Sequence, residues 1–118
     1  KNVGKDFVVL AGTGSVLLPA LIKGVKGGVL ALANVAPAEC ISIFDLFNDK
    51  KLTEAENLQS TLIPVNQAIT TTYGAAGLKA AMDLLGYEGG NPRLPLEPLN
   101  EAQIIELKAV LRKAYLIE

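Results

Sequence analysis

The fold class follows from residues 7–34, which read FVVLAGTGSVLLPALIKGVKGGVLALAN. Two short apolar runs, residues 7–11 and 28–32, flank a helical stripe that Gly24 closes. Neither run alternates polar and apolar residues, and this is typical of parallel strands that are covered on both faces. The order strand, helix, strand predicts one βαβ unit with a right-handed crossover.

The first predicted strand leads directly into the turn Gly12-Thr13-Gly14-Ser15. Two glycines at this place fit a tight turn, and they equally fit a loop whose backbone approaches a ligand. Thr13 or Ser15 is placed to cap the helix that follows. The segment is not a phosphate motif, because it lacks both the third glycine of a dinucleotide fingerprint and the Gly-Lys-Ser/Thr end of a P-loop.

From Pro37 onward the pattern is helical, and four helices with residues buried at three-to-four spacing are predicted. The expected inward-facing residues are Cys40, Ile43, Phe44 and Phe47 in the first, Ala55, Leu58, Leu62, Val65 and Ile69 in the second, Leu78, Ala81, Met82 and Leu85 in the third, and Ile104, Leu107, Val110, Leu111 and Ala114 in the last. Prolines exclude a regular element over residues 94–99.

The ends of these helices carry local signals. Thr53 and Glu56 have the spacing of a capping box. Gly86 is a natural C-terminal cap, and Asn100 is placed to cap the last helix.

Composition excludes several classes of protein. Lys and Arg number 11 against 12 Asp and Glu, so the net charge of −1 does not predict nucleic-acid binding. No apolar run reaches the roughly 18 residues of a membrane span. The single cysteine, Cys40, cannot form an internal disulfide and favours a reducing compartment, and the chain has no histidine to activate its thiol. We therefore expect a cytoplasmic protein, with the mitochondrial matrix as the alternative.

Two strands do not make a stable sheet, so the predicted pair needs neighbours. Three explanations are open: a fragment of a larger barrel, an obligate oligomer that shares a sheet, or a misread pair of buried helices. The first residues, KNVGKDF, contain no initiating Met and no apolar signal-peptide core. We expect a segment of a longer protein.

Four stretches together resemble one enzyme family. They are AGTGSVLLPAL (11–21), GVKGGVLALANVAP (24–37), LQSTLIP (58–64) and GLKAAMDLLGYEGGNPRLPL (77–96). They resemble the C-terminal part of the dihydrodipicolinate synthase / N-acetylneuraminate lyase family, pyruvate-handling class I aldolases and synthases. Residues 73–96 look like the 4-hydroxy-2-oxoglutarate aldolase branch, because the Asn-Pro-x-Pro pattern usual in the synthase branch is absent from residues 73–77.

The resemblance implies an α/β fold: the last two β/α units of a TIM (β/α)8 barrel plus a C-terminal helical extension. Residues 1–50 would be the C-terminal portion of the barrel with strands seven and eight, and residues 51–118 the extension. The Schiff-base lysine of the family would lie upstream of Lys1, so no catalytic residue is expected in this segment. Gly12 matches a glycine beside the substrate cavity, and Val29 matches a position whose backbone carbonyl faces the reacting nitrogen.

The activity implied for the intact protein is a carbon–carbon lyase that forms a Schiff base and cleaves 4-hydroxy-2-oxoglutarate, or a similar 4-hydroxy-2-oxo acid, to pyruvate and an aldehyde. The resemblance implies no cofactor and no metal, a small-molecule 2-oxo acid as the substrate, no nucleic-acid or membrane partner, and a homotetramer. One alternative is a synthase-type condensation of pyruvate with an aldehyde. The other is a non-catalytic helical module for oligomerisation.

Overall fold

The computed structural model describes Gly4 and residues 6–118. Most of the segment before Phe7, whose composition predicts a polar loop, lies outside this part. The α-helices are α1 (Leu17–Ile22), α2 (Pro37–Asn48), α3 (Leu52–Gln67), α4 (Gly74–Leu84) and α5 (Glu101–Lys113). Two 3₁₀ helices cover Gly14–Val16 and Ala31–Asn34, and a π-helix covers Ala68–Thr72. Among these described elements, no helix combines the length and the apolar character needed to cross a bilayer.

The two apolar runs lie side by side and parallel, as predicted. They meet in a parallel bridge between Ala11 and Gly28. The Ala11 N–H donates to the Gly27 carbonyl at 2.8 Å, and the Val29 N–H donates to the Ala11 carbonyl at 2.9 Å. Gly28 permits this approach, because a Cβ at that position would lie 3.1 Å from the Ala11 carbonyl oxygen.

The predicted burial of these runs is wrong for this chain. The exposed fraction is 62% for Phe7, 52% for Leu10 and 74% for Val29. The described part of the chain pairs the two runs only around their single bridge and forms no regular strand. Within it, each run therefore has one backbone neighbour, and many of its apolar side chains, such as those of Phe7, Leu10 and Val29, are exposed to solvent.

The second run also ends earlier than predicted. The chain leaves the extended conformation after Leu30 and forms the 3₁₀ helix Ala31–Asn34. Leu32 is completely buried within this helix, and its carbonyl accepts the N–H groups of Val35 and Ala36 at 3.1 and 2.9 Å. The last residues of the predicted strand therefore form a 3₁₀ helix instead, and this helix places Leu32 in the helical core.

The predicted glycine caps of α1 and α4 are confirmed. Gly24 has a φ of 92° and donates its N–H to the Leu21 carbonyl at 2.9 Å. Gly86 has a φ of 84° and donates to the Asp83 carbonyl at 3.1 Å. Glycine suits both positions because the left-handed region costs it no steric energy.

The two predicted N-terminal caps have opposite outcomes. Asn100 and Gln103 form a capping box, in which each side chain accepts the backbone N–H of the other at 3.0 and 2.9 Å. The box predicted at Thr53 is wrong, because α3 already begins at Leu52. Lys50 adopts a φ of 61° and completes the turn after α2, so the next helix starts before Thr53 can act as its cap.

A helical layer surrounds one apolar core, and residues 37–118 contain no strand, as predicted. Helix α3 packs against α1, α2 and α5. The most deeply buried large side chains are Leu18, Leu21, Leu32, Ile43, Leu62, Val65, Ile69, Leu107 and Leu111. The periodicity therefore predicted the buried stripes of α3 and α5. In α4 only Ala81 of the predicted residues is fully buried, and Leu78, Met82 and Leu85 are partly buried.

Candidate functional site

The parallel bridge brings the two predicted site residues together. Gly12 directly follows Ala11, and Val29 directly follows Gly28. Because the paired segments run in the same direction, Gly12 and Val29 each lie one residue beyond the bridge: Gly12 follows the end of the first run, and Val29 is the second residue of the other run. In parallel α/β structures the edge toward which the strands point is where ligands bind.

This edge is open. Gly12 is exposed, and a Cβ built on it would meet no heavy atom within 4 Å. Val29 is 74% exposed. Both residues are therefore accessible on this edge, and their roles stay predictions.

A buried amide on α3 holds the loop that follows Gly12. Asn66 accepts the Gly14 N–H on its Oδ1 at 3.2 Å. Its Nδ2 donates to the Thr13 Oγ1 at 3.1 Å and to the Ser15 Oγ at 2.7 Å. Asn66 is only 3% exposed, so these contacts are shielded from competing water. Thr13 also acts as the predicted cap, since its Oγ1 accepts the Ser15 N–H at 3.4 Å.

A second amide, Gln59, binds the same loop from the same face of α3, seven residues before Asn66. Its Nε2 donates to the Gly14 carbonyl at 2.8 Å, and its Oε1 accepts the Leu18 N–H at 3.0 Å. No buried side-chain nitrogen or oxygen in the described part of the chain lacks a partner. The two amides thus join the glycine turn and the start of α1 to the middle of α3, at Gln59, and to its end, at Asn66.

Sequence reasoning missed Gln59 and Asn66, although a signal for them exists. They lie seven residues apart, and together with Ala55, Leu62 and Ile69 they continue the three-to-four spacing of the buried stripe of α3. A polar residue within such a stripe is buried and must find hydrogen-bond partners. The partners are backbone groups more than 40 positions away, which a local pattern does not reveal.

The end of α3 widens into a π-helix beside this cluster. The Tyr73 N–H donates to the Ala68 carbonyl at 3.0 Å, five residues back. Thr70 donates its hydroxyl to the Asn66 carbonyl, so the hydroxyl satisfies a backbone group of the widened turn. π-Turns inside helices often accompany functional sites, and this one follows the residue that holds the glycine turn.

Tyr73 ties the start of α4 to α5. Its hydroxyl donates to the Glu106 carboxylate at 2.5 Å. This hydrogen bond, together with smaller contributions from desolvation and from the Glu106 charge, raises the pKa of Tyr73 above its ordinary value of 10.0. The contact lies on the surface and stabilises the packing of the last two helices.

Cys40 is a core residue, as predicted. Burial, reinforced by the neighbouring Glu39 charge, raises the pKa of its thiol to about 11. The thiol is therefore protonated at neutral pH and is a poor nucleophile.

Two lysines near the bridge, Lys23 and Lys26, lie on the side of it opposite to Gly12 and Val29. Lys26 precedes Gly28 by two residues, and Lys23 follows the last turn of α1. Both stand before the bridge in the direction of the chain, whereas Gly12 and Val29 stand after it. In the part that the structure describes, no group of three or more acidic, histidine or cysteine residues is placed to hold a metal ion.

The Lys79 side chain binds the loop that follows α4. Its Nζ donates to the Gly89 carbonyl at 2.6 Å, and the Asp83 carboxylate accepts the Gly89 N–H at 2.7 Å. These two side chains fold the loop after α4 back onto that helix. The space around Gly89 is filled, because a Cβ there would collide with the Lys79 backbone.

Comparison with known proteins identifies the relatives of this chain. Residues 1–114 match the dihydrodipicolinate synthetase family. The 4-hydroxy-tetrahydrodipicolinate synthase of Geobacter sp. (strain M21) is 35% identical over 114 residues, which are 97% of this chain and 39% of that protein. The enzyme of the same name from Methanothrix thermoacetophila is 35% identical over 92% of this chain and 37% of its own length.

Solved structures give the same result. A dihydrodipicolinate synthase from Bacillus anthracis superposes with a TM-score of 0.88 at 28% identity, covering 93% of this chain and 38% of that one. The 2-keto-3-deoxygluconate aldolase of Sulfolobus sulfataricus, in complex with D-KDPG, superposes with a TM-score of 0.81 at 25% identity, covering 91% and 37%. The chain thus spans about two-fifths of the length of its relatives.

Proposed function

We propose, since this chain belongs to the dihydrodipicolinate synthetase family, that it forms the last two β/α units and the helical extension of a (β/α)8 barrel. A barrel of this kind takes about 250 residues. The partial length of the chain against its relatives supports this proposal. The open apolar edge at Phe7 and Val29 supports it as well, because further strands would cover these side chains.

The intact protein, in this proposal, is a pyruvate-dependent class I lyase. One observation supports the assignment of its site: Gly12 and Val29 directly follow the two bridged residues, Ala11 and Gly28, on the edge toward which both runs point. This is the edge at which barrel enzymes assemble their active sites. The homotetramer and the cytoplasmic location stay predictions.

The chemistry proceeds through a lysine that lies upstream of Lys1. Its neutral amine attacks the 2-oxo carbon, and loss of water gives an imine that becomes protonated. A base then removes the proton of the 4-hydroxyl group, the C3–C4 bond breaks, and its electron pair enters the imine to give the enamine of pyruvate and an aldehyde. The enamine takes up a proton and water releases pyruvate. The pKa of the lysine must be lowered by burial or by nearby cations for its amine to be a nucleophile.

Two substrate classes compete for this site. The sequence of residues 73–96 favours cleavage of 4-hydroxy-2-oxoglutarate, which releases glyoxylate as the aldehyde. The names of the curated relatives favour the reverse bond-forming reaction, a condensation of pyruvate with an aldehyde. Both share the imine and the enamine, so the lysine, Gly12 and Val29 serve either reaction.

Borohydride trapping tests the shared step. We expect the intact protein, incubated with pyruvate and then reduced, to gain the mass of one reduced pyruvate on a lysine upstream of Lys1. An adduct on Lys23 or Lys26 would refute the assignment of the catalytic lysine. An intact protein without any adduct would favour the non-catalytic helical module.

A second assay separates the two substrate classes. The intact protein is supplied with 4-hydroxy-2-oxoglutarate, and pyruvate and glyoxylate are measured together. We expect equal amounts of both products. An enzyme that forms the pyruvate adduct but releases no glyoxylate would be assigned to the synthase class instead.

A further inference from the structure

We infer that Asn66 is a positioning residue for the reaction, acting from the helical extension on the turn Gly12-Thr13-Gly14-Ser15. The inference rests on the proposed function, because it gives the turn a place at the substrate cavity. Asn66 itself touches no reacting atom in this account. It fixes the backbone next to Gly12, and Gly12 has no side chain through which its own position could be fixed.

The geometry of the amide carries the inference. All three of its contacts with the turn go to consecutive residues: the Thr13 Oγ1, the Gly14 N–H and the Ser15 Oγ, at 3.1, 3.2 and 2.7 Å. One side chain thus binds the turn from its second residue to its fourth. Such a set of contacts fixes both the distance and the orientation of the turn relative to α3.

Among the described residues, one other side chain outside the turn binds it, that of Gln59. Gln59 binds only its later part, through the Gly14 carbonyl and the Leu18 N–H. Thr13 is the residue that follows Gly12, and of these two amides only Asn66 reaches it. A turn with two glycines is otherwise free to adopt many backbone conformations. The bridge at Ala11 holds Gly12 on one side. On the other side, the conformation of the turn depends on one buried amide that lies more than 50 residues away in sequence.

Loss of this amide is expected to affect turnover more than affinity. A displacement of about 1 Å at a reacting centre can reduce a rate by about 100-fold. In the proposed function Gly12 lies beside the substrate cavity, so a shifted turn changes the transition state and leaves most substrate contacts in place. A purely structural role would instead lower the melting temperature and leave the turnover number of the folded enzyme unchanged.

The test uses the intact protein and two matched variants. Asn66→Leu removes the three contacts and keeps a similar volume. Leu62→Ala is the control, because Leu62 is a completely buried residue of the same helix. Activity is measured well below the melting temperature of each variant. We expect Asn66→Leu to lower kcat by about 10-fold or more with KM changed by less than about three-fold, and Leu62→Ala to change both by less than about three-fold.

Two gentler variants keep the test decisive if Asn66→Leu does not fold. Asn66→Asp retains an acceptor for the Gly14 N–H, and the hydroxyls of Thr13 and Ser15 can rotate to donate to it, so we expect it to keep most of the turnover. Ser15→Ala removes the shortest of the three contacts on a residue that is only partly buried. We expect it to lower kcat, and to lower it no further in an enzyme that already carries Asn66→Leu.

Hydrogen exchange separates this inference from the proposed function. The Gly14 amide is expected to exchange slowly in wild type and in Leu62→Ala, and faster in Asn66→Leu. Unchanged exchange at Gly14, or equal losses of kcat in Asn66→Leu and Leu62→Ala, would overturn the positioning role. A wild-type protein that exchanges slowly at Gly14 but forms no pyruvate adduct would overturn the proposed function, and with it the catalytic meaning of the contact.

Discussion

The first apolar run and helix α5 contain similar side chains in opposite surroundings. Phe7 and Leu10 are 62% and 52% exposed, whereas Leu107 and Leu111 are completely buried. Helix α5 finds its neighbours, α3 and α4, within the described chain. The first run finds one neighbour, through the bridge at Ala11. An apolar pattern therefore shows that residues need partners, and it does not show where those partners are.

The largest expected effect compares one residue from each region. In the 118-residue chain, Leu107→Ala should lower the free energy of unfolding by about 2–5 kcal/mol, because it leaves a cavity among α3, α4 and α5. Val29→Ala should change it by less than about 0.5 kcal/mol, because Val29 is 74% exposed. Urea unfolding of both variants measures the difference. Equal losses would mean that the two regions do not differ in packing.

A second pair compares the two glycines of the turn. A Cβ on Gly14 would lie 2.6 Å from the Leu32 Cδ2 and 2.9 Å from the Asn66 Oδ1, whereas a Cβ on Gly12 would meet nothing within 4 Å. We expect Gly14→Ala to cost about 1–3 kcal/mol of stability and Gly12→Ala less than about 0.5 kcal/mol.

In the intact protein, Gly12→Ala should have a larger effect on activity than its small effect on stability suggests. Gly12→Ala should keep the melting temperature and still lower kcat/KM, since the added methyl group would enter the proposed cavity. Full activity in a stable Gly12→Ala enzyme would remove Gly12 from the site.

The sequence predicted those features whose interacting groups lie close together along the chain, and it missed those whose groups lie far apart. The Gly24, Gly86 and Asn100 caps use groups within one helical turn, and all three were predicted, although the part that Gln103 plays in the box at Asn100 was not. The burial of residues 7–11 depends on groups that the described chain does not supply, and this prediction failed. Gln59 and Asn66 were missed because they bind backbone groups 41 to 52 positions away, at a distance that no periodic pattern encodes.

A third pair tests whether the helical region depends on local signals. Asn100→Ala should cost about 1 kcal/mol, because it breaks the capping box at the start of α5. Thr53→Ala should cost much less, since Thr53 lies inside α3 and caps nothing. Thermal unfolding of the two variants in parallel checks this order. A larger loss from Thr53→Ala would restore the capping box that the structure contradicts.

The smallest effect concerns pH. The raised pKa of Tyr73 means that its bond to Glu106 contributes stability fully below pH 10.0, the ordinary pKa, and loses it as the pH rises through the raised value. Glu106→Gln should bring the phenol back toward its ordinary pKa, because the carboxylate acceptor and its charge are gone. Absorbance of the phenolate during an alkaline titration, compared between the two proteins, reports the shift. An identical titration curve would show that the two side chains do not interact.

Hydroxyl-radical footprinting of the two regions tests the central claim most directly. The 118-residue chain and the longer protein that contains it are exposed to the same radical dose, and oxidation is mapped at Phe7 and Leu107. We expect Phe7 to be oxidised in the chain and protected in the longer protein, where further strands cover it, and Leu107 to be protected in both. Equal oxidation of Phe7 in the two proteins would contradict the account, because the exposed run would then have no barrel neighbour to meet.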